Sequence, residues 1–187
     1  REIHVSDARD AMHKGISLVP EDRKGQGLVL MQSILKNISL ANLDKFSGFM
    51  RIDSDAEMMA ATQQAKALAV KAPNLGVSVD SLSGGNQQKV VIAKWLLSSP
   101  KILIMDDPTR GIDVGAKYEI YKLMNDLAER GVSIIMISGE LEEVLGMSDR
   151  IMVMHEGRST RTIDIAEASQ ERIMALATGI ADELVPA

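Results

Sequence analysis

The sequence contains no cysteine and very few aromatic residues. The absence of cysteine excludes disulfide bonds and thiolate zinc sites, and it is typical of a protein from a reducing compartment. Aromatic residues make up only 3% of the chain, although hydrophobic residues make up 45%. We therefore expect a core of Ile, Leu, Val and Ala together with the 12 Met residues, whose side chains pack adaptably. No apolar run approaches the roughly 20 residues that a membrane-spanning helix needs.

The balance of charges also excludes a class of partners. The chain carries a formal net charge of −5 and shows no basic stripe, which argues against a nucleic-acid partner. Its 187 residues are enough for one large or two small domains with a substantial core. Because the chain opens on Arg1 within a polar segment, we expect it to be a piece of a longer protein.

One candidate binding segment is Leu82-Ser83-Gly84-Gly85-Asn86-Gln87-Gln88-Lys89. It is typical of a helix start, since Ser83 can cap the helix and the two glycines let a ligand approach bare backbone amides. Free amides and the positive end of a helix dipole suit a phosphate group. Considered alone, Ser-Gly-Gly is more often a loop than a phosphate site.

A second candidate segment is the apolar run Ile102–Met105, which stops at Asp106 and Asp107. Four apolar residues without alternation are typical of a buried strand. Acids at the carboxyl end of a strand in an α/β sheet lie where ligands usually bind. The alternative for Asp-Asp alone is a solvated turn.

These segments and their order resemble the ATP-binding-cassette ATPases. Leu82–Lys89 is similar to the signature motif of that family, Ile102–Asp107 to Walker B with the catalytic-acid position, and Gly111–Asp113 to the D-loop. The form LSGGNQQK with DPTRGIDVGAK is most similar to the second ATPase domain of tandem-cassette sugar importers of the ribose and galactose type. The resemblance covers nearly the whole chain, from about Val5 to about Gly179.

The resemblance implies an α/β fold with a P-loop NTPase core, a parallel sheet flanked by helices and an inserted helical subdomain. Residues 1–31 would be the Q-loop-containing part of the core, residues 32–97 the helical subdomain with the signature motif, and residues 98–187 the C-terminal part of the core. The N-terminal strands and the phosphate loop of the family would be missing. The alternation of strands and helices itself indicates a parallel sheet that is covered on both sides.

Hydrophobic periodicity and the Pro and Gly residues predict the individual elements. We expect Ser6 to cap the first helix, Ser54 and Glu57 to form a capping box, and Met58 to face inward with Ala61, Ala65 and Leu68. The predicted helices span 6–13, 33–43, 54–71, 86–98, 113–130, 140–145 and 166–178; the predicted strands span 16–19, 102–105, 132–138 and 150–154, with a short strand that ends at Asp164 after a reversal at Glu156-Gly157.

The segment Glu21–Gly27 supports two interpretations. From the residues alone it is a charged, solvated loop. The resemblance instead makes it the Q-loop region, which links the nucleotide site to a transmembrane partner, with Glu21 where family members usually carry Gln. Phe46, Phe49 and Met50 could likewise be exposed apolar groups for a membrane-protein partner, although core filling is the favoured interpretation.

A phosphate loop is missing from the sequence. That loop needs the pattern G-x-x-x-x-G-K-[ST], whose amides, Lys and hydroxyl hold the phosphates and Mg²⁺. None of the 14 glycines is followed by Lys. We therefore expect that this chain cannot hold ATP by a phosphate loop of its own.

In the mechanism that the resemblance implies, two cassettes meet head to tail around ATP and Mg²⁺. The phosphate loop and Walker B acid of one cassette hold ATP, and the signature helix of the other clamps it. Asp106 would ligate Mg²⁺, and Asp107 occupies the position of the catalytic acid. The residues that would contact nucleotide are Ser83, Gly84, Gly85, Asn86, Gln87 and Asp113.

Two departures from the family pattern affect the expected chemistry. Asp107 stands where the family has Glu, and Asp is one methylene shorter; a displacement of about 1 Å can lower a rate on the order of a hundredfold. Gly139 aligns with the histidine that usually senses the γ-phosphate. We therefore expect the half-site of this domain to be slow or silent in hydrolysis.

The implied partners are a second ATPase domain, a transmembrane sugar permease and, indirectly, a periplasmic or extracellular sugar-binding protein. The implied location is cytoplasmic, on the inner face of the cell membrane. One alternative is a non-hydrolysing, regulatory half whose signature motif completes the ATP site of a partner. Another, a cassette protein acting on nucleic acid or ribosomes, is disfavoured by the acidic charge. An open sheet edge could also pair two copies of the chain.

Overall fold

The computed structural model describes residues 3–48 and 51–179. The chain divides into two compact units, Arg1–Ile137 and Ser138–Ala187. The boundaries at 31/32 and 97/98 stay a prediction. Phe46 is buried, as the core-filling interpretation predicts, whereas Phe49 and Met50 lie outside the described residues. No helix in the described ranges is both long and apolar enough to cross a membrane.

The first unit contains a three-stranded parallel sheet of β1 (Ile16–Val19), β2 (Ile102–Asp106) and β3 (Ser133–Ile137), in that order. The register pairs Val19 with Met105 and Met105 with Met136, so the carboxyl ends of all three strands lie at one edge. The parallel α/β arrangement predicted from the sequence is thereby confirmed.

The third strand is less buried than predicted. Ile135 and Ile137 of β3 are each 50% exposed. Ile135 pairs with Ile104 and Ile104 with Leu18, so the exposed residues lie on one face of the sheet, which the described residues cover incompletely. Leu18 of β1 is also exposed, so the expectation of a sheet covered on both sides was wrong for the described residues.

Five α-helices accompany this sheet in the described part of the first unit. They are α1 (Ala8–His13), α2 (Ile34–Ser39), α3 (Ser54–Ala67), α4 (Gly84–Leu96) and α5 (Val114–Glu129). Short 3₁₀ turns span Leu40–Lys45 and Val79–Ser81. Arg23–Gly27 forms a single wide helical turn that is mostly exposed, which agrees with the charged, solvated loop predicted there. Asp22 closes this turn by accepting hydrogen bonds from the Lys24 and Gly25 amides.

Two predicted helix caps were wrong by one residue. The Asp7 side chain, not Ser6, accepts a hydrogen bond from the first turn of α1, at 2.8 Å from the Asp10 amide. Asp53, not Ser54, caps α3. In both cases the neighbouring aspartate supplies a charged acceptor, which forms a stronger hydrogen bond with an amide than a hydroxyl does.

Glu57 joins α3 to α2 instead of forming a capping box. Its buried carboxylate accepts hydrogen bonds from Lys36 at 2.8 Å and from Ser39 at 2.6 Å. Burial raises the pKa of Glu57, but the hydrogen bonds from Lys36 and Ser39 outweigh it and hold the pKa below its usual value. This ion pair therefore orients the two helices around the core.

The core of the first unit consists mainly of aliphatic side chains. α4 lies at its centre, with Val90, Val91, Ile92 and Ala93 fully buried. Methionine contributes less than expected. Among the described residues of both units, the buried methionines are Met105 and Met124, and the exposed ones are Met31, Met58, Met59, Met152, Met154 and Met174. The inward placement predicted for Met58 was therefore wrong.

The second unit is a hairpin packed with helices. β4 (Arg150–His155) and β5 (Arg158–Asp164) pair antiparallel and do not join the parallel sheet among the described residues. Two helices, α6 (Leu141–Met147) and α7 (Gln170–Ala177), complete this unit. The prediction placed the start of the last helix at Ala166, but Ile165–Glu167 is a separate 3₁₀ turn. The core consists of Ile151, Val153, Ile163, Ile173 and Leu176.

Candidate functional site

The segment Leu82–Lys89 forms the start of α4, which begins at Gly84 and not at Asn86 as predicted. Ser83 occupies the N-cap position, but its hydroxyl caps no backbone amide. It accepts a hydrogen bond from Asn86 Nδ2 at 3.0 Å instead. The first amides of an α-helix have no acceptor within the helix. The start of this 13-residue helix therefore carries unused amides and the positive end of the dipole.

A cleft of about 240 Å³ lies beside the start of α4. The described residues that line it are Lys71, Ser83, Gly85, Asn86, Asp113, Gly115, Ala116 and Glu119. Four residues that we predicted to contact nucleotide are thus brought together, although the sequence separates Asp113 from the other three. Their contact with a nucleotide stays a prediction.

The two glycines at the start of α4 also have a packing role. A Cβ atom on Gly85 would lie 2.5 Å from the Cβ of Ala116 in α5. A Cβ atom on Gly84 would lie 3.0 Å from Arg23 Nη2 and 3.3 Å from the Gly111 carbonyl oxygen. From the sequence we expected both glycines to let a ligand approach. In the structure they also let other parts of the chain pack closely against the start of α4.

Asn86 and Gln87 have different surroundings. Asn86 Oδ1 accepts a hydrogen bond from the Lys71 amide at 2.7 Å, which holds Lys71 at the cleft. Gln87 is buried, and its Nε2 donates to the Val79 and Leu82 carbonyls at 3.3 Å and 3.2 Å. Gln87 therefore fixes the loop that precedes α4 and does not line the cleft.

Charged groups of both signs surround the cleft. Glu119 lies 2.8 Å from Lys89 and 3.4 Å from Lys71. The hydrogen bond from Lys89 is the main cause of a lowered pKa for Glu119, so this carboxyl stays ionised. Asp113 Oδ1 accepts a hydrogen bond from the Ala116 amide at 2.9 Å and caps α5. Sequence reasoning missed Lys71 and Glu119, because no local pattern links them to the start of α4.

The two predicted acids lie at the carboxyl edge of the parallel sheet. Asp106 is the last residue of β2 and pairs with Ile137. Asp107 follows with a φ of +40°, a conformation that L-residues rarely adopt, and its amide donates to the Ile137 carbonyl at 2.9 Å. Both side chains are half-buried. The structure therefore presents Asp106 and Asp107 at the sheet edge where ligands bind in α/β folds.

Magnesium is compatible with Asp106 only if other molecules supply further ligands. No group of three or more His, Cys, Asp or Glu side chains that could hold a metal occurs in the ranges that the structure describes. Mg²⁺ is usually held by one or two carboxylates together with water and substrate phosphates. A single carboxylate at the end of β2 fits an ion that arrives with a nucleotide.

Glu21 and Arg23 connect the Arg23–Gly27 turn to the loop after β2. The Arg23 guanidinium donates to the Arg110 carbonyl at 2.7 Å and to the Gly111 carbonyl at 3.0 Å. Glu21 forms an ion pair with the Arg110 side chain. Sequence reasoning singled out Glu21 but missed Arg23, because its partners lie 87 and 88 residues away along the chain.

Gly139 lies in the second unit, just before α6. It is exposed, and a Cβ atom added there would meet no atom within 4 Å. Packing therefore does not require glycine at this position. Its correspondence to a phosphate-sensing histidine stays a prediction.

Comparison with known proteins gave consistent matches. Residues 1–110 match the family model described as ABC transporter. The xylose import ATP-binding protein XylG of Thermoanaerobacter pseudethanolicus is 53% identical over 96% of this chain and 35% of its own length. The ribose import ATP-binding protein RbsA of Oceanobacillus iheyensis is 54% identical over 96% of this chain and 36% of its own length. The chain thus spans about a third of the length of these relatives.

Solved structures share the fold. A dimeric ATP-binding cassette in a post-hydrolysis state, bound to ADP and phosphate, superposes with a TM-score of 0.70. The match covers 86% of this chain and 68% of that one, at 22% sequence identity. At this identity the match establishes the cassette fold of the chain.

Proposed function

The chain belongs to the ABC transporter family, and we propose that it is part of the second ATPase domain of a sugar importer. In the whole protein this domain would couple ATP binding and hydrolysis to carbohydrate uptake. The names of the xylose and ribose import relatives support the substrate class. The observation that carries the proposal is the start of α4, where unused amides border a cleft.

The start of α4 would act on a nucleotide bound mainly by another cassette. ATP supplies the phosphoryl group, and Mg²⁺ offsets its negative charge. Ser83, Gly84 and Gly85 would donate backbone hydrogen bonds to the γ-phosphate, where charge is spread during phosphoryl transfer. Asn86 positions the Ser83 hydroxyl through the hydrogen bond between their side chains. Asp106 would contribute a carboxylate to Mg²⁺ in the ATP site of this domain.

We propose that this domain's own half-site hydrolyses ATP slowly or not at all. Asp107 has a shorter side chain than the glutamate usual in the family, and Gly139 has no side chain with which to sense a phosphate. The open space around Gly139 supports the proposal, because packing does not explain the loss of a side chain. The main contribution of the domain would then be to complete the ATP site of its partner cassette.

The proposed partners follow from this function. They are a second ATPase domain, a transmembrane sugar permease and, through the permease, a sugar-binding protein outside the membrane. The domain would lie in the cytoplasm against the inner face of the membrane. The candidate Q-loop residue Glu21 is exposed and paired with Arg110, a position from which it can respond to a permease.

ATP turnover by the full-length protein with its permease tests the assignment of the two half-sites. We expect Ser83→Arg to abolish most turnover, because the long side chain would fill the cleft and block the γ-phosphate. Asp107→Asn should leave most turnover intact, since we expect the ATP site of the partner cassette to provide most of the hydrolysis. Ser81→Arg, an exposed serine just before α4, is the matched control. Near-normal turnover in Ser83→Arg with collapse in Asp107→Asn would reverse the assignment.

A further inference from the structure

Arg23 touches two segments that lie far from it in the sequence. Its two terminal nitrogens donate to the carbonyl groups of Arg110 and Gly111, in the loop after β2. Nη2 also lies 3.0 Å from the position that a Cβ atom on Gly84 would occupy. One guanidinium thus lies between the Arg110–Gly111 peptide and the first residue of α4.

Glycine at positions 84 and 111 suits this arrangement for two different reasons. Gly84 has no side chain to displace the guanidinium from the start of α4. Gly111 has a φ of +66°, which favours glycine, and a Cβ atom there would lie 3.5 Å from Arg23 Nη1. The close contact of the three chain segments therefore depends on the absence of a side chain at Gly84, whereas glycine at position 111 is favoured by its positive φ.

The Gly27 end of the Arg23–Gly27 turn packs against α4. Gly27 packs so closely on α4 that an added Cβ atom would lie 3.0 Å from Val91 Cγ2. The buried Lys94 of α4 also donates a hydrogen bond to the Gly27 carbonyl. The turn is thus held on α4 at Gly27 and on the loop after β2 through the Arg23 guanidinium, so it connects these two segments.

The partners of Arg23 suit a positioning role. Both of its hydrogen bonds are to backbone carbonyls, and its Nε is buried with no hydrogen-bond partner among the described residues. The fixed fork of a guanidinium can hold two adjacent carbonyls in one geometry, which a flexible ammonium cannot. The Arg110 amide in turn donates to the Asp107 carbonyl at 3.0 Å, so the held peptide is continuous with the acid at the end of β2.

We infer that Arg23 is a positioning residue that fixes the loop after β2 against the start of α4. With Arg23 in place, the backbone from Asp107 to Gly111 and the amides at Ser83–Gly85 keep one relative position. The expected effect on ATP turnover rests on the proposed function. The contact of Arg23 with the Arg110 and Gly111 carbonyls does not depend on that function. Arg23 touches no nucleotide in this scheme and acts through the segments that it holds.

The test uses three variants of the full-length protein with its permease. Arg23→Met removes the charge and the guanidinium fork, and Arg23→Lys keeps the charge alone. Lys122→Met removes an exposed charge from α5, at a position that does not line the cleft. Hydrogen exchange of the amides at 109–113 reports the loop directly. We expect Arg23→Met to speed this exchange about tenfold and to lower kcat on the order of tenfold to a hundredfold, with KM changed less than about threefold.

The variants separate positioning from a general effect on folding. Arg23→Lys should lie between wild type and Arg23→Met, and Lys122→Met should match wild type in both measurements. Unchanged exchange in Arg23→Met, or faster exchange with unchanged kcat, would overturn the inference. If the wild type hydrolyses no ATP while Arg23→Met speeds exchange, the proposed function fails and the contact made by Arg23 is still supported.

Discussion

Lys94 in α4 is a lysine whose environment disfavours its charge. It is 5% exposed, and its ammonium donates to the Gly27 carbonyl. Burial lowers the pKa of Lys94 to about 8. The nearby Trp95 ring, 5.4 Å from Nζ, favours the charged form but does not offset the loss of water.

This lysine makes stability depend on pH in a definite direction. The usual pKa of 10.5 applies to the unfolded chain, so between about pH 8 and pH 10.5 the unfolded state binds more protons than the native state. The contribution of Lys94 to the free energy of unfolding is therefore complete above the pKa of the unfolded chain, 10.5. It is lost as the pH falls through the native pKa of about 8.

We expect the free energy of unfolding of the wild type, relative to Lys94→Met, to rise by about 2 kcal/mol between about pH 7.5 and about pH 10. Urea unfolding of both proteins at a series of pH values measures this difference. Lys24→Met, at an exposed position, controls for the general effect of removing a lysine. An equal pH dependence for both variants would contradict the prediction.

The positions of individual residues near the site were only partly predictable from the sequence. The sequence indicated Asp113 as a helix start and Asp106 and Asp107 as acids at a strand end, because these inferences depend on neighbouring residues alone. It did not indicate that Gln87 is buried under the preceding loop, or that Arg23 reaches Gly111. Those contacts depend on where distant segments lie after folding.

Among the elements, α4 and α5 meet at one very close contact. Gly85 in the first turn of α4 faces Ala116 in the first turn of α5, with no room for another methyl group. This contact brings the start of α5, and with it Asp113, beside the start of α4. The shape of the cleft therefore depends on the two small residues Gly85 and Ala116, which let the two helices approach closely.

Gly85→Ala should therefore destabilise the protein by about 1–3 kcal/mol, because the added methyl group overpacks the contact. Adding Ala116→Gly to that variant should restore part of the loss by reopening the space. Gly146→Ala in α6, where an added Cβ atom meets nothing within 4 Å, is the control and should be neutral or slightly stabilising. Thermal unfolding measures all three; equal losses in Gly85→Ala and Gly146→Ala would contradict this packing argument.

The spans of the elements were largely predictable, and their ends were less so. Apolar runs bounded by Gly or Pro correctly placed β1, β2 and β3, since such runs reflect burial over a few residues. The caps at Asp7 and Asp53 were missed because two adjacent polar residues could each accept the same amide. The helical form of the Arg23–Gly27 turn was not predicted, because its closure depends on the particular hydrogen bonds of Asp22.

For the molecule as a whole, the missing phosphate loop leads to a prediction about binding. Because the 187 residues contain no G-x-x-x-x-G-K-[ST] pattern, we expect this chain alone to bind ATP weakly. An ABC cassette that carries the pattern should bind ATP tightly under the same conditions. Equilibrium binding of labelled ATP compares the two, with circular dichroism as a check on folding. Equally tight binding by both chains would contradict the prediction.

The sequence by itself determined the family, the parallel α/β class and the segments in which the site lies. These follow from motifs, periodicity and turn residues, which act between near neighbours in the chain. Only the tertiary structure decided that Arg23 holds the Arg110–Gly111 peptide, that Gly85 meets Ala116, and that most of the described methionines lie at the surface. Each of these contacts and exposures depends on which distant segments pack together. That packing is determined by the whole chain and not by neighbouring residues.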